Sequence, residues 1–187
     1  MMIKITGGKF KRKKLESISK FVRPTSAIKR EAFFSILESY AIKKSINFYE
    51  NKIFLDLFAG IGTMGLEGIS RGIDQVIFFE NNYEVIEVLE KNCKKICRDD
   101  QYKIFNKDIL KLEFKIEFKH ISIIYIDPPY NKYDIGKLLE NLQDRVNKET
   151  IIAVESSIKD NFQKPEKLQL IKKNSYGKTN LYLFVLK

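Results

Sequence analysis

Short apolar runs alternate with amphipathic segments along this chain, and several of the runs end on an acidic residue; this pattern constrains the fold most. Ile53-Phe54-Leu55 leads into Asp56, and Gln75–Phe79 into Glu80. Tyr102–Phe105 is followed by Asp108, and Ile121–Ile126 by Asp127. Continuous apolar runs such as 53–55 and 121–126 suit strands buried on both faces. Between the runs, residues 83–97 place Ile86, Leu89, Cys93 and Ile96 on one helical face, and Glu87–Lys91 and Glu90–Lys94 are favourably oriented pairs four residues apart. Residues 134–146 form a second such helix through Ile135, Leu138, Leu139, Leu142 and Val146, and Ile151–Val154 reads as a fifth strand. Strands alternating with helices predict an α/β fold with a mainly parallel sheet covered on both faces. The runs at 167–172 and 180–186 have no helix between them, only a turn at Tyr176-Gly177, and predict an antiparallel pair at one edge. Ligands of such sheets bind beyond the carboxyl ends of the strands, where Asp56, Glu80, Asp108 and Asp127 all fall.

Residues 56–65 read Asp-Leu-Phe-Ala-Gly-Ile-Gly-Thr-Met-Gly. Gly60, Gly62 and Gly65 match the G-x-G-x-x-G pattern between a strand and a helix, which lets the backbone turn sharply and approach a ligand. The pattern alone serves a nicotinamide dinucleotide or S-adenosylmethionine. Asp56 tilts the choice, because it ends the strand four residues before the first glycine. A dinucleotide turn sets its pyrophosphate on the helix N-terminus. Adenosylmethionine has no phosphate but carries an ammonium and a sulfonium, which a nearby carboxylate suits. Glu80 is placed for ribose hydroxyls of either cofactor. Asp108 is placed either to accept from an adenine amine or to cap a following helix.

Asp127-Pro128-Pro129-Tyr130 uses two of only four prolines at the end of a buried run. A base amine is a poor nucleophile because its lone pair is delocalised into the ring. The Asp127 carboxylate can accept one N–H, and a backbone carbonyl, best that of Pro128, the other. Together they aim the lone pair and stabilise the charge developing on nitrogen. Prolines fix φ and bring no competing N–H, so Pro128 and Pro129 hold that carbonyl still. Tyr130 offers a flat face to a base that has left its stack. The plainer alternative is a rigid loop after a core strand.

Upstream, residues 3–5 and 10–15 read as two short strands around Gly7-Gly8. Arg23-Pro24-Thr25-Ser26 opens a helix with Thr25 or Ser26 as its cap, followed by an apolar stripe at Phe33, Ile36, Leu37 and Tyr40. The formal charge is +10, from 34 basic and 24 acidic residues, and it is densest at Lys9, Lys11, Arg12, Lys13 and Lys14. Such a surface attracts polyanions, nucleic acid first, although lysines on an edge strand also deter aggregation. Only six of the basic residues are arginines, a bias that an AT-rich coding sequence produces by itself. Cys93 and Cys97 share a helix face, and the one histidine, His120, lies far away in sequence. No metal site is expected; reduced core thiols are. No run of membrane-spanning length and no signal-peptide core occurs, so a cytoplasmic, single-domain, monomeric protein is expected.

In these features the chain resembles the class I methyltransferases that modify exocyclic amines. More narrowly, it resembles the RsmD family, bacterial enzymes that methylate the exocyclic amine of a guanine in small-subunit ribosomal RNA. The resemblance runs from Ile5-Thr6-Gly7-Gly8-Lys9 through Arg23-Pro24-Thr25, the 56–65 turn with Leu66-Glu67 and Ser70-Arg71-Gly72. It continues through Glu80 and Asp127–Tyr130 to Tyr176-Gly177-Lys178-Thr179, and so covers nearly the whole chain. It implies a Rossmann-like sheet of seven strands, mainly parallel, at residues 23–187, with an N-terminal basic β-hairpin extension at 1–22. It implies S-adenosylmethionine held by Asp56, Phe58, Ala59, Gly60, Gly62 and Glu80, with Asn81, Asp108 and Ile109 beside them. Asp127, Pro128, Pro129 and Tyr130 would engage the base. Lys9, Lys11, Arg12, Lys13, Arg23 and Thr25 would face the RNA, presented on an assembled or partly assembled ribosomal particle. One departure is Asn174-Ser175, where several relatives carry an arginine before the Tyr-Gly pair; Lys172 or Lys173 is the available substitute.

Two other readings compete. A DNA amino-methyltransferase would share the turn and the tetrapeptide, but needs added structure to read a sequence in duplex DNA. A nicotinamide-dependent oxidoreductase, or a nucleotide-binding protein without catalysis, leaves the tetrapeptide unexplained.

Overall fold

The computed structural model describes residues 3–18, 25–107, 118–129 and 132–187. Its centre is a sheet of seven strands: β3 (Ile53–Asp56), β4 (Gln75–Glu80), β5 (Tyr102–Asn106), β6 (Ile121–Ile126), β7 (Ile151–Ser157), β8 (Leu168–Tyr176) and β9 (Thr179–Leu186). Their spatial order is β5-β4-β3-β6-β7-β9-β8. The first five pair in parallel, and β9 runs antiparallel to both β7 and β8. This is the Rossmann-like class I methyltransferase sheet, with its antiparallel edge pair. The order reverses between β3 and β6, which opens a crevice at their carboxyl ends.

Side chains alternate across the sheet and feed two cores. Phe54, Phe78, Ile123, Tyr125 and Ala153 pack on one face, with residues of α1 (Ala27–Lys44), α2 (Thr63–Ser70) and α3 (Tyr83–Ile96). Leu55, Ile77, Phe79, Ile124, Ile126, Ile152 and Val154 pack on the other, against Ile135, Leu138, Leu139 and Leu142 of α4 (Ile135–Gln143). β6 is buried along its whole length, as its unbroken apolar run requires. Cys93 is buried in the first core, and Cys97 packs partly buried against it. Among the described residues no helix is long and apolar enough to cross a membrane.

The N-terminal strands are shorter than the sequence suggests. They are β1 (Ile3–Lys4) and β2 (Lys14–Leu15), paired antiparallel. Residues 9–13 form successive turns, with Arg12 N–H and the Lys13 carbonyl still paired to Ile5: Lys11 N–H donates to the Gly8 carbonyl, Lys13 N–H to that of Phe10, and Arg12 has a φ of 71°. The basic cluster therefore sits on a loop. β7 and β8 are longer than expected, since pairing with β9 carries β7 to Ser157 and β8 to Tyr176. α4 stops at Gln143, and Val146 is buried from the turn that follows.

A buried carboxylate fastens the extension to the sheet. Glu67 on α2 accepts from Thr6 N–H at 2.9 Å, Thr6 Oγ1 at 2.7 Å and Gly7 N–H at 2.7 Å. It also pairs with Arg71 at 3.2 Å and with the buried Arg30 at 3.5 Å. Arg30 in turn donates to the Lys4 carbonyl at 2.7 Å and to that of Thr25. One side chain thus joins the extension, α1 and α2. Glu67→Ala leaves two cations facing a vacant acceptor, and we expect a stability loss of about 3–5 kcal/mol in denaturant unfolding. A loss below about 1 kcal/mol would mean that the network holds little of the fold.

Candidate active site

The glycine turn is built by backbone pairing with its neighbours. Leu57 N–H donates to the Tyr125 carbonyl at 3.0 Å, and Ala59 N–H to the Phe79 carbonyl at 2.9 Å. Gly62 has a φ of 85°, and a Cβ there would fall 2.5 Å from Leu89 Cδ1, so only glycine fits. At Gly65 a Cβ would lie 2.4 Å from Phe78 and 2.5 Å from Val76; its absence lets α2 pack closely on β4. Two acids brace the loop. Asp56 accepts from Gly65 N–H at 3.3 Å, and Glu80 from Gly60 N–H at 2.9 Å. Glu80 also accepts from the Asn81 and Asn82 amides, and Asn82 caps α3. Burial, with the nearby Glu80 charge, pushes the Asp56 carboxyl up to about 7, against the hydrogen bonds from Gly65 and Phe58.

Across the crevice, Asp127 follows the last residue of β6. Burial holds its carboxyl well above the usual carboxylate range, and Glu155 and Asp56 push the same way. Lys29 and a hydrogen bond from Thr25 act in the opposite sense. Asp127 nevertheless keeps part of its surface open to the crevice. Glu155 on β7 is 4% exposed, accepts from Tyr125 Oη at 3.0 Å and forms an ion pair with Lys29. The Pro129 carbonyl accepts from Lys132 N–H, a partner separate from the Pro128 carbonyl.

Both halves open into one cavity of about 1010 Å³, at the upper end of small-molecule sites and roomy enough for more than one ligand-sized group. Phe58, Ala59, Gly60, Glu80 and Asn81 line one side of it; Thr25, Asp127, Pro128 and Pro129 line the other. Asp56 and Gly62 do not reach its wall; they lie beneath the loop and shape it. Tyr130, Asp108, Ile109 and Arg23 lie outside the described residues. Thr25, expected to face RNA, lines the cavity and hydrogen-bonds Asp127.

Several lining residues escaped the sequence reading. Tyr133 meets Phe58 edge to face at 4.7 Å, giving the cavity an aromatic wall. Lys29 and Glu155 line it as an ion pair. The β8–β9 turn, Tyr176 to Thr179, reaches it because β9 starts where β7 ends, with Thr179 opposite Ser157. Two of these left a trace in the sequence: Glu155 is an acid just past an apolar run, as Asp56 and Asp127 are, and Tyr176-Gly177-Lys178-Thr179 stands out as a motif.

Lys9, Lys11, Arg12 and Lys13 do not line the cavity. Lys9 N–H donates to the Ser70 carbonyl at 2.6 Å and Phe10 N–H to Ser70 Oγ at 2.9 Å, which fixes their loop at the carboxyl end of α2. The amino end of α2, at Thr63, is the end that lines the cavity. A helix of this length separates the two by about 10 Å.

A family model described as "Conserved hypothetical protein 95" matches residues 3–185. The ribosomal RNA small subunit methyltransferase D of Buchnera aphidicola subsp. Baizongia pistaciae is 31% identical, over 74% of this chain and 69% of its own length. The putative methyltransferase yhhF from Escherichia coli has a TM-score of 0.82 at 23% identity, covering 100% of this chain and 99% of that one. An RNA methyltransferase from Salinibacter ruber in complex with S-adenosyl-L-homocysteine has a TM-score of 0.64 at 12% identity, covering 88% and 94%. At these identities the two structures bear on the fold alone.

Because Asp56 is pushed from its ordinary value near 3.8 up to about 7, the folded chain holds a proton that the unfolded chain releases. The associated stability is present below about pH 4 and is lost as pH rises through about 7, by roughly 4 kcal/mol. Asp56→Asn keeps the acceptor for Gly65 and removes the titration. Urea unfolding of the two proteins from pH 5 to 8 should show the wild type losing stability relative to the variant. Parallel curves would show that Asp56 does not titrate in this range.

Proposed function

Since the chain belongs to the RsmD family of methyltransferases, we propose that it transfers a methyl group from S-adenosylmethionine to the exocyclic amine of a guanine in small-subunit ribosomal RNA. The observation that carries this reading is the single cavity lined both by the glycine turn with Glu80 and by Asp127-Pro128-Pro129. Cofactor-binding and amine-orienting groups face the same space, so an amine and a methyl donor can meet there.

The cavity suits this cofactor. Asp56 is a buried carboxylate pushed up to about 7, and the groups that act on it are two amides and the Glu80 carboxylate, with no cation among them. A ligand bearing an ammonium and a sulfonium above it relieves that imbalance. Glu80, braced by three backbone N–H groups, keeps lone pairs for ribose hydroxyls. Phe58 and Tyr133 supply aromatic surface at the junction. When bound, the cofactor supplies an electrophilic methyl on sulfur.

The chain's own residues do the rest. Asp127 accepts one N–H of the base amine and the Pro128 carbonyl the other, so that the nitrogen lone pair points at the methyl. The N–C bond would form as the methyl–sulfur bond breaks; the Asp127 carboxylate stabilises the positive charge that grows on nitrogen and then takes the proton that the amine sheds. Thr25 and Lys29 favour the ionised form of Asp127 that this role needs.

The basic loop extends the reading beyond the cavity. Lys9 and Lys13 flank the ring of Phe10, at 5.5 and 5.7 Å from its centre, an arrangement suited to phosphates with an aromatic between them. Its distance from the target base fits a partner larger than a single nucleotide, such as a folded ribosomal RNA on its particle.

The test is labelled methyl transfer to unmodified small ribosomal subunits, naked ribosomal RNA and duplex DNA, followed by nucleoside analysis. Label on the guanine amine from subunits or RNA is expected; label in duplex DNA would replace this reading with a DNA amino-methyltransferase. Asp127→Ala should keep cofactor affinity in calorimetry and lose about a hundredfold or more in turnover. An equal loss of cofactor affinity would remove Asp127 from its place at the base. Replacing Lys9, Lys11, Arg12 and Lys13 by glutamine should weaken RNA binding and lower its salt dependence, by about 0.7–0.9 in logarithmic slope for each phosphate that is no longer neutralised. An unchanged slope would take the loop out of the interface.

A further inference from the structure

The proposed reaction leaves Glu155 without a task, although it stands beside Asp127. β6 and β7 pair in parallel, with Ile126 opposite Val154. The next residue on each strand is Asp127 and Glu155, so the two acids stand side by side, about 4.8 Å apart between strand axes. Ile126 and Val154 point into the core that holds α4, so Asp127 and Glu155 point to the opposite face, where α1 brings Thr25 and Lys29. All four line the cavity.

Glu155 is fixed in place but not used up. Tyr125 Oη donates to its Oε2 at 3.0 Å, and Lys29 pairs with its Oε1. A carboxylate offers about four acceptor positions, so lone pairs remain for a ligand. The groups that act on the acid pair are Asp56 from β3, Tyr125 from β6, Lys29 from α1 and Thr25 from the segment just before it. Lys29 is the cation in this set, and it offsets the repulsion between the two acids. A buried ion pair of this kind is weak evidence for a role in stability. Its place on the cavity wall, one strand over from the amine acceptor, gives it another use.

Building on the proposed function, we infer that Glu155 selects guanine by accepting the N1–H that lies next to the amine on the Watson–Crick edge. Guanine presents two neighbouring donors there, the amine and N1–H, and Asp127 and Glu155 present two neighbouring acceptors. A purine whose N1 carries no hydrogen sets a lone pair against the Glu155 carboxylate and leaves its remaining acceptor positions without a donor. Sites built to hydrogen-bond a group reject analogues that lack it far more strongly than apolar pockets do. Lys29 and Tyr125 are positioning residues, holding Glu155 at the correct height and charge.

The test uses 2-aminopurine, which keeps the amine of guanine but has no N1–H. Small subunits are reconstituted with ribosomal RNA carrying guanine or 2-aminopurine at the position that the wild-type protein labels, and single-turnover methylation is measured on each. The wild type should prefer guanine by about a hundredfold or more. Glu155→Gln, whose amide can donate to a bare N1, should reduce the preference at least tenfold, whereas Glu155→Asp should retain it. The preference is a ratio within one preparation, so partial misfolding of a variant does not alter it, and the wild-type comparison needs no variant. Equal rates for the wild type on both substrates, or an unchanged preference in Glu155→Gln, would overturn the assignment while leaving the methyl-transfer reading intact. Wild-type label on another base would overturn that reading, and this assignment with it.

Discussion

In a parallel sheet every strand leaves at the same edge, and the register of β3, β6 and β7 sets Asp56, Asp127 and Glu155 along that edge within a few residues of one another. Such crowding is costly. Burial raises the Asp56 and Asp127 carboxyls, helped by Glu80 at Asp56 and by Glu155 and Asp56 at Asp127, where Lys29 and the Thr25 hydroxyl compensate only in part. An arrangement that opposes its own ionisation is a common mark of a site kept for binding or chemistry. Here the imbalance has a direction: the cofactor side lacks a cation, and on the base side Asp127 and Glu155 keep acceptor positions beyond those that Thr25, Tyr125 and Lys29 fill. A cationic methyl donor and a base edge rich in N–H groups supply what each side lacks.

The same helix ties the site to the rest of the fold. On α1, Arg30 is locked to Glu67, Lys4 and Thr25, and its neighbour Lys29 reaches into the cavity. Thr25, whose carbonyl Arg30 holds, directs its hydroxyl at Asp127. The N-terminal extension therefore has two effects. Its loop carries the densest positive charge, and its backbone, through Glu67, fixes the helix that brings Lys29 to Asp127 and Glu155. Because the extension and α1 share one buried carboxylate, movement in one is resisted by the other.

Much of the site was legible before any coordinates. The strand ends at Asp56, Glu80 and Asp127 read directly from apolar runs that stop at an acid, and the three glycines read from their spacing. Glu155 stands just past the run 151–154 as Asp127 stands past 121–126, but no local motif marks it, and its neighbours Asp127, Tyr125 and Lys29 come from other elements. Residues 10–15 read as a strand after the Gly7-Gly8 turn, yet the positive φ at Arg12 and the docking on Ser70 leave only Lys14–Leu15 as strand and put residues 9–13 in turns. Thr25 read as an RNA contact from its place beside Arg23, and it lines the cavity and hydrogen-bonds Asp127.

The sequence by itself determined which residues could be strand, turn and helix, and which residue types stood ready at the strand ends. Those properties are local: periodicity, glycine φ and proline rigidity act within a few residues. Only the tertiary structure decided that Glu155 stands beside Asp127, that Lys29 joins them, and that Asp56 lies beneath the glycine loop instead of on the cavity wall. It also decided that the 176–179 turn closes the cavity. These contacts join residues far apart in sequence, and they follow from inter-strand register and helix docking, which no short stretch of sequence encodes.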